Sequence, residues 1–416
     1  MPRHLITVLL AMLLARAGLA ADVQPIPAPQ PPAGPVVLLT SHALDGHGGT
    51  LTDARITVAN GKITSLAASE EGTVIDLRGY TVMPGWIDTH VHLSSFFNSK
   101  GRIATADEPP MDAAMGMAAA AWHSLMAGFT TVQSVGELIE KPLRDAIRDR
   151  GMPGPRVLTS LDWIDGTSET PDEELLAILR DRKAQGADLV KIRASSSQRV
   201  GATPTLIERQ LKLLCDEAWK LGLRPMVHAY RSQVAAAARA GCHQIEHATY
   251  ATADELQVAI DAGVFISPQV GLVVQNYIKN QDRYLGEGNY TEEGMRIMER
   301  DMHYDFEVCK LAAHTPGAKL VFSTDATAGA HGQNAEEFIG RVQYCEQSPM
   351  AALTSAHKIA AESLNMADQI GKLAPGFEAD IIALDGDPLD DITAVRRVAF
   401  VMRGGVVYKW DGAVQD

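Results

Sequence analysis

Short apolar runs alternate with amphipathic helical patterns through the middle of the chain. Eight runs have the length and composition of buried strands. They are Trp86–His92, Phe129–Gln133, Arg156–Thr159, Asp188–Arg193, Arg224–His228, His243–His247, Val264–Pro268 and Lys319–Asp325. Eight alternations of strand and helix predict an α/β fold, a (β/α)8 TIM-type barrel over residues 84–369. In such a barrel, catalytic groups lie at the carboxyl ends of the strands.

The two ends of this body have a different pattern, in which short alternating strands are separated by tight turns. Residues 36–83 contain an Asn60-Gly61 turn, and residues 370–416 contain a Gly404-Gly405 turn. Such turns join neighbouring strands of hairpins. The pattern predicts one small composite β-sandwich built from both segments.

The first residues have the pattern of a secretory signal. Arg3 precedes the apolar run Leu5–Ala15, and Gly18-Leu19-Ala20 resembles a cleavage site. We therefore predict a signal peptide at residues 1–20, followed by a Pro-rich tether at residues 21–35. The apolar run is too short for a membrane span. The expected product is exported, periplasmic or secreted, without a stable membrane span after cleavage, and an uncleaved anchor is the alternative.

Composition narrows the function classes. The 416 residues are 46% hydrophobic and carry a net charge of −14, without a basic patch interleaved with aromatic residues. This balance disfavours nucleic-acid binding. The chain contains Cys215, Cys242, Cys309 and Cys345 and no CxxC pair. We expect free buried thiols, because a chain of this length does not need disulfides to fold.

Potential metal ligands recur at the predicted strand ends. His90 and His92 are two apart on strand one, so their side chains share a face. The other strand-end candidates are Lys191 on strand four, His228 on strand five, His247 on strand six and Asp325 on strand eight. Four imidazoles and a carboxylate suit zinc or a neighbouring divalent ion. Lysine does not fit this set, because an ammonium group would be repelled by a cation.

Several motifs resemble the amidohydrolase superfamily, in its binuclear branch with a carboxylated lysine, and within it the imidazolonepropionase-like and Xaa-Pro dipeptidase-like members. The motifs are PGWIDTHVHL, LMAGFTTVQSVGE, GADLVKIRASS, MVHAY, AAARAGCHQIEHATY, FSTDATAGAHGQNAEEF and GKLAPGFEADIIALDGDPLDDI. The resemblance implies a metal-dependent hydrolase barrel that holds two divalent metal ions, with zinc favoured. It places His90, His92 and Asp325 on the more buried ion, His228 and His247 on the more exposed one, and carboxylated Lys191 between them.

The mechanism implied by this resemblance is hydrolysis by a hydroxide that bridges the two metal ions. Asp325 would take the proton of the nucleophile and deliver it to the leaving nitrogen. His331, just past strand eight, would orient the substrate or the oxyanion, with a structural loop histidine as the alternative. One departure concerns strand two, where the family commonly has TVRD and this chain has Gln133 and Ser134. This departure leaves open which residues near strand two contact the ligands or the substrate.

Two residues beside the ligands suggest the substrate class. Arg193 lies two residues after Lys191, and Tyr230 two after His228, so both are candidates to bind a carboxylate. The alternative for Arg193 is an ion pair with a local acidic residue. We expect cleavage of a C–N amide bond in a small molecule, a dipeptide or N-acyl amino acid with a free carboxylate.

Three other functions are alternatives to cleavage of a dipeptide or N-acyl amino acid. A cyclic-amide hydrolase resembling imidazolonepropionase and a mononuclear deaminase are alternative enzymes, and Lys191 argues against the deaminase. A solute-binding or scaffold protein is the alternative outside the enzymes, disfavoured by retention of all six candidate ligands. The long helical pattern Glu292–His314 and the loop before it predict either a lid or a solvated excursion, and assembly into homo-oligomers is left open.

Overall fold

In the computed structural model of the protein, residues 31–67, 72–410, 412 and 414–415 are described. The predicted signal peptide and most of the predicted tether lie outside these residues. Among the described residues, no helix combines the length and the hydropathy needed to cross a bilayer.

Strands from both ends of the chain enclose a body in which strands and helices alternate. The strands are β1 (Val36–Leu44), β2 (Thr50–Ala59), β3 (Lys62–Ser65), β4 (Thr73–Asp76), β5 (Thr81–Pro84), β6 (Trp86–Val91), β7 (Phe129–Ser134), β8 (Arg156–Thr159), β9 (Trp163–Ile164), β10 (Leu189–Arg193), β11 (Arg224–Ala229), β12 (Gln244–His247), β13 (Phe265–Ser267), β14 (Lys319–Leu320), β15 (Ile381–Leu384), β16 (Val398–Arg403), β17 (Val406–Lys409) and β18 (Val414–Gln415). The α-helices are α1 (Pro110–Met126), α2 (Lys141–Asp149), α3 (Asp172–Ala184), α4 (Glu208–Lys220), α5 (Gln233–Arg239), α6 (Ala253–Asp261), α7 (Val273–Lys279), α8 (Gln281–Tyr284), α9 (Glu292–His314), α10 (Glu336–Tyr344), α11 (Pro349–Thr354) and α12 (Ala360–Ser363).

The terminal segments share one sheet in the order β17-β16-β15-β5-β1-β2-β3, with β4 also paired to β1 and β18 to β4. One edge of β1 pairs with β2, and the other pairs first with β4 and then with β5. The antiparallel pair of β5 and β15 joins the two ends of the chain. These terminal strands form one continuous hydrogen-bonded sheet with a shared apolar core, and the composite β-sandwich stays a prediction.

The strands of the middle run parallel in two sheets. One contains β6, β7 and β8, and the other contains β9 to β14 in sequence order. Backbone hydrogen bonds span both gaps between these sheets: Asp188 N donates to Thr159 O at 2.9 Å, and Asp325 N donates to His90 O at 2.8 Å. The strand ends that carry the candidate ligands therefore lie beside one another.

Seven of the predicted middle strands agree with the observed ones to within two residues at each end, and the eighth does not. Only Lys319–Leu320 forms a regular strand, β14. Val321 N still donates to Ile266 O of β13 at 3.0 Å, but Phe322 N donates to Ser355 O at 3.1 Å and Thr324 N to the side chain of Asp88 at 3.1 Å, so the regular ladder is interrupted. The two-residue strand β9 was not predicted.

Both cysteine pairs form disulfides, so the expectation of free thiols is wrong. Cys215 on α4 is bonded to Cys242, and Cys309 on α9 is bonded to Cys345 after α10. No free cysteine occurs among the described residues. Length removes the need for a disulfide, but it does not prevent one where packing brings two cysteines together, and here the Cα atoms lie 5.3 and 5.2 Å apart.

We expect replacement of both Cys309 and Cys345 by alanine to lower the free energy of unfolding by about 3 to 4 kcal/mol. The reason is the entropy of closing a loop in the unfolded chain, which here spans 36 residues. Urea unfolding without reductant would measure the change, and reductant should bring the wild type towards the variant. Detection of four free thiols in the denatured, unreduced wild type would contradict both disulfides.

Candidate metal centre and active-site cavity

The six candidate ligands line one cavity at the carboxyl ends of the parallel strands. His90 is the penultimate residue of β6 and His92 directly follows that strand. Lys191 lies in β10, His228 in β11 and His247 at the end of β12, and Asp325 follows β14. The cavity has a volume of about 420 Å3, and all six side chains contribute to its wall. Side chains that lie up to 235 positions apart in the sequence thus share one small space.

His90 is the central member of the cluster. Its Nδ1 lies 2.7 Å from Glu246 Oε2, a carboxylate that can only accept, so Nδ1 carries the proton. The other nitrogen, Nε2, lies 3.3 Å from His92 Nε2, 3.3 Å from Lys191 Nζ and 3.2 Å from Asp325 Oδ1. The lone pair of Nε2 therefore faces other nitrogen and oxygen atoms of the kind that ligate metal ions. A cation between these atoms would stabilise the arrangement.

Asp325 completes this part of the cluster from the opposite side. Its Oδ1 lies 3.0 Å from His92 Nε2. Burial opposes its ionisation, but the charge of His90 and the hydrogen bond from His92 hold the pKa of Asp325 well below its ordinary value. Asp325 has a φ of +53° and His247 a φ of +68°. Such backbone strain in non-glycine residues is typical of functional sites.

His228 and His247 form a second part of the cluster. Their ring centroids lie 4.6 Å apart in an edge-to-face arrangement. Burial, then neighbouring positive charge, lowers the pKa of His228 well below its ordinary value, and burial lowers that of His247 to about 4. Nε2 of His228 is buried without a hydrogen-bond partner among the described residues. A neutral imidazole with an unpaired nitrogen is the form that binds a metal ion.

Lys191 lies between the two parts and is only 4% exposed. Burial lowers the pKa of Lys191 to about 8, although the charges of Glu246 and Asp325 act in the opposite direction. A neutral amine is a nucleophile, whereas an ammonium is not.

These residues fit a divalent cation. Ligand atoms of His90, His92 and Asp325 all lie within 4.8 Å of one another. Imidazole nitrogen and carboxylate oxygen are donors that zinc and its neighbours accept. The unpaired nitrogen of His228 adds a donor in the same cavity. The side chains of His90, His92, Asp325 and His228 can therefore serve as ligands of a divalent metal ion.

Glu246 is a buried carboxylate in contact with a candidate ligand, and the sequence analysis missed it. It is fully buried and accepts hydrogen bonds from His90 Nδ1, Ser267 Oγ at 2.7 Å and Gln269 Nε2 at 2.8 Å. Burial raises the pKa of Glu246, but the charge and hydrogen bond of His90, the charge of Lys191 and the hydrogen bond from Ser267 lower it to about 2. Its signal in the sequence was a carboxylate in a buried strand, directly before His247.

We expect Glu246→Gln to weaken metal binding by about 10- to 100-fold, because a carboxylate behind a ligating histidine orients the ring and raises its basicity. Titration of the metal-free protein with zinc would measure this change. Glu337→Gln is the matched control, since Glu337 is an equally buried carboxylate that instead pairs with Arg341. Equal metal affinity of Glu246→Gln and wild type would remove Glu246 from this role.

The residues that depart from the family pattern on β7 support the strands and do not line the cavity. Gln133 Nε2 donates to Thr89 O at 2.9 Å, and its Oε1 accepts from Arg224 Nη2 at 2.7 Å. Ser134 Oγ donates to Glu140 Oε1 at 2.8 Å. The substitution therefore leaves the donor set unchanged.

The two substrate-binding residues named from the sequence have different surroundings. Tyr230 is buried and lines the cavity, with its ring stacked on His247 at 5.3 Å. Arg193 also reaches the cavity wall, but its Nη1 lies 3.1 Å from Asp165 Oδ2, as in the alternative that the sequence left open.

His331 is not brought into the cavity. Its Nε2 lies 3.0 Å from the carbonyl oxygen of Ser95, so the ring donates to the backbone of a neighbouring loop. It lines a separate groove with His123 and Arg396. This placement favours the alternative of a structural loop histidine, and a role of His331 in orienting the substrate or the oxyanion stays a prediction.

The segment before and within α9 forms one wall of the cavity. Val273, Tyr277, Tyr290 and Met298 line it. Tyr290 packs on Tyr277 and Tyr284 with ring centroids 5.4 and 4.9 Å apart. The segment is thus packed over the site and is not a solvated excursion.

Comparisons with known proteins agree with this geometry. A model of the amidohydrolase family matches residues 81–408. Ochratoxinase of Aspergillus niger is 24% identical over an alignment that covers 89% of this chain and 85% of that protein. The crystal structure of a Xaa-Pro dipeptidase with bound methionine superposes with a TM-score of 0.81 at 24% identity, over 90% of this chain and all of that one. That of a prolidase complexed with N-methylphosphonate-L-proline gives 0.79 at 25% identity, over 91% and 100%.

Proposed function

The chain belongs to the amidohydrolase family and is a hydrolase of carbon–nitrogen bonds, and from this premise we propose that it cleaves the amide bond of a dipeptide or N-acyl amino acid with a free carboxylate. The observation that carries the proposal is the convergence of four imidazoles, a carboxylate and a buried lysine on one cavity of about 420 Å3. A cavity of this size suits a small molecule. The similar prolidase was crystallised with a proline derivative, which supports an amino-acid substrate.

We propose that the cavity holds two divalent metal ions, with zinc favoured by the donor types. His90, His92 and Asp325 would hold one, and His228 and His247 the other. Lys191, carboxylated by carbon dioxide, would lie between them, and its position 3.3 Å from His90 Nε2 supports this. When bound, the metal ions would supply a water molecule acidic enough to act as a nucleophile at neutral pH and would polarise the scissile carbonyl.

Asp325 has the position required to move the proton. Its closest contacts with both His90 and His92 use Oδ1. We propose that this carboxylate accepts the proton of the attacking water and delivers it to the amide nitrogen as the C–N bond breaks. Because its pKa is held low, Asp325 begins the reaction ionised.

Tyr230 would bind the substrate beside these groups. Burial, with Asp305 and Asp325 nearby, raises the pKa of its hydroxyl, so Tyr230 keeps its proton. A protonated phenol in the cavity wall is available to donate to a carbonyl or carboxylate oxygen of the substrate.

We also propose a closed eight-stranded barrel, export and periplasmic or secreted localisation. The hydrogen bonds that span both gaps between the parallel sheets support the barrel. The two disulfides support export, because disulfides persist in oxidising compartments. The Pro-rich and signal-like residues at the start of the sequence add to this support.

A substrate panel assayed with zinc-loaded protein tests the proposed activity. Dipeptides and N-acetyl amino acids should release amine, and removal of the metal by a chelator should abolish the release. Turnover confined to cyclic amides would instead favour an imidazolonepropionase-like hydrolase. Ammonia release from a heterocyclic amine would favour a deaminase, and absence of any turnover would leave the family fold with another role.

A further inference from the structure

Arg199 is a cation in the cavity wall that no carboxylate neutralises. It lies in the loop after β10 and lines the same cavity as the candidate ligands. Its Nε donates to Asn289 Oδ1 at 2.8 Å, and its Nη1 lies 3.7 Å from the sulfur of Met298. Among the described residues, no acidic side chain lies within ion-pair distance of its guanidinium. Half-buried arginines usually have such a partner, since an unpaired charge is costly away from water.

Aromatic rings hold this guanidinium in place. Its carbon lies 4.0 Å from the ring centroid of Tyr290 and 5.2 Å from that of Tyr277. These contacts position the group, but they leave donors of the planar guanidinium without an oxygen acceptor. Although burial opposes its charge, nearby tyrosines and Asp325 raise the pKa of Arg199, which keeps it a cation beside the candidate metal centre.

The other arginine of the cavity wall is in a different state. Arg193 already has Asp165 as its partner, and this pair is partly open to solvent. A substrate anion would have to displace that carboxylate to bind Arg193. At Arg199 there is no carboxylate to displace.

We propose that Arg199, held by Tyr277 and Tyr290, binds the carboxylate of the substrate and thereby selects amides that carry a free carboxylate. This inference rests on the proposed function and assigns the substrate-recognition residue of the same cavity. A guanidinium presents parallel N–H donors that match the two oxygens of a carboxylate. The candidate metal centre and Arg199 line the same cavity, so one small substrate can reach both.

The test compares an N-acetyl amino acid that the wild type hydrolyses with its C-terminal N-methylamide, and acetate release is measured. We expect the wild type to prefer the carboxylate. Arg199→Met should lower kcat/KM by about 10- to 100-fold for the carboxylate, the usual effect of one charged hydrogen-bonded contact, and leave the N-methylamide unchanged. Arg199→Lys keeps the positive charge but not the parallel N–H donors. Its kcat/KM for the carboxylate substrate should therefore lie between those of the wild type and Arg199→Met.

Arg283→Met is the matched control. Arg283 also stacks on an aromatic ring, that of Phe97, but neither residue lines the cavity. Its loss should not change the preference between the two substrates. If Arg199→Met lowered kcat/KM equally for both substrates, the inference would be overturned in favour of a role of Arg199 in holding the wall segment. Loss of the preference in Arg193→Met and not in Arg199→Met would overturn it in favour of Arg193.

A second measurement separates this inference from the proposed function. Binding of the free amino acid and of its N-methylamide to metal-free protein is measured by calorimetry. Tighter binding of the carboxylate in the wild type, lost in Arg199→Met, supports the assignment even if no amide is hydrolysed. Hydrolysis of both amides without a preference for the carboxylate would overturn the assignment while the proposed hydrolase stands.

Discussion

Replacing Asp325 with asparagine should lower kcat by about two to four orders of magnitude, the usual contribution of a positioned general acid or base. Asparagine keeps the shape of the side chain but neither takes up nor releases the proton that the C–N bond cleavage requires. Its effect on kcat should therefore exceed its effect on KM. Steady-state kinetics of the zinc-loaded variant would measure both constants.

Metal content must be measured in the same sample, because Asp325 is also a candidate ligand. If Asp325→Asn retains metal and has a lower kcat, the result supports the proton-transfer role of Asp325. If it loses metal, the result supports only a role of Asp325 as a metal ligand. Asp53→Asn is a suitable control, since Asp53 is an exposed aspartate that also has a positive φ, +49°. Full kcat in Asp325→Asn would contradict the proposed mechanism.

Lys191→Ala should remove bound metal and lower kcat/KM by at least about 1000-fold, because the electrostatic stabilisation by metal ions is worth several kcal/mol. The expectation depends on the proposed carboxylated side chain of Lys191, which would supply an anionic oxygen donor between the two groups of histidines. Elemental analysis should find about two zinc ions in the wild type and fewer in the variant.

The carboxylation itself has a separate test. Metal-free wild type should regain zinc and activity faster with added bicarbonate than in buffer depleted of carbon dioxide. Lys319→Ala, which changes an exposed lysine that contacts Phe265 on β13, should retain zinc and activity. Two zinc ions and full activity in Lys191→Ala would show that this lysine is no bridging ligand.

The cysteines illustrate where reasoning from composition failed. The absence of CxxC motifs and the length of the chain favoured free thiols, and both arguments concern what folding requires. Pairing depends on distance, and α4, α9 and the loops that face them bring each pair of Cα atoms within 5.3 Å. No spacing rule connects Cys309 with Cys345, since α10 must first pack against α9.

Substrate recognition shows the same limit. Strand periodicity correctly put Arg193 on the face of Lys191, but it did not reveal that Asp165 neutralises it. Arg199 lies in a loop, where side-chain direction follows no period. His331 was placed near the right strand end, yet its ring turns to the carbonyl of Ser95.

The sequence by itself determined the order of the strands, the family and the six candidate ligands among the side chains that line the cavity. It could do so because residues of a buried strand have only two facing directions, and the ends of parallel strands meet at one edge. Only the tertiary structure decided which carboxylate supports His90, which arginine of the cavity wall has no acidic partner among the described residues, and which cysteines are bonded. Those outcomes depend on distances between segments far apart in the chain, which are set by packing and are not encoded in local spacing.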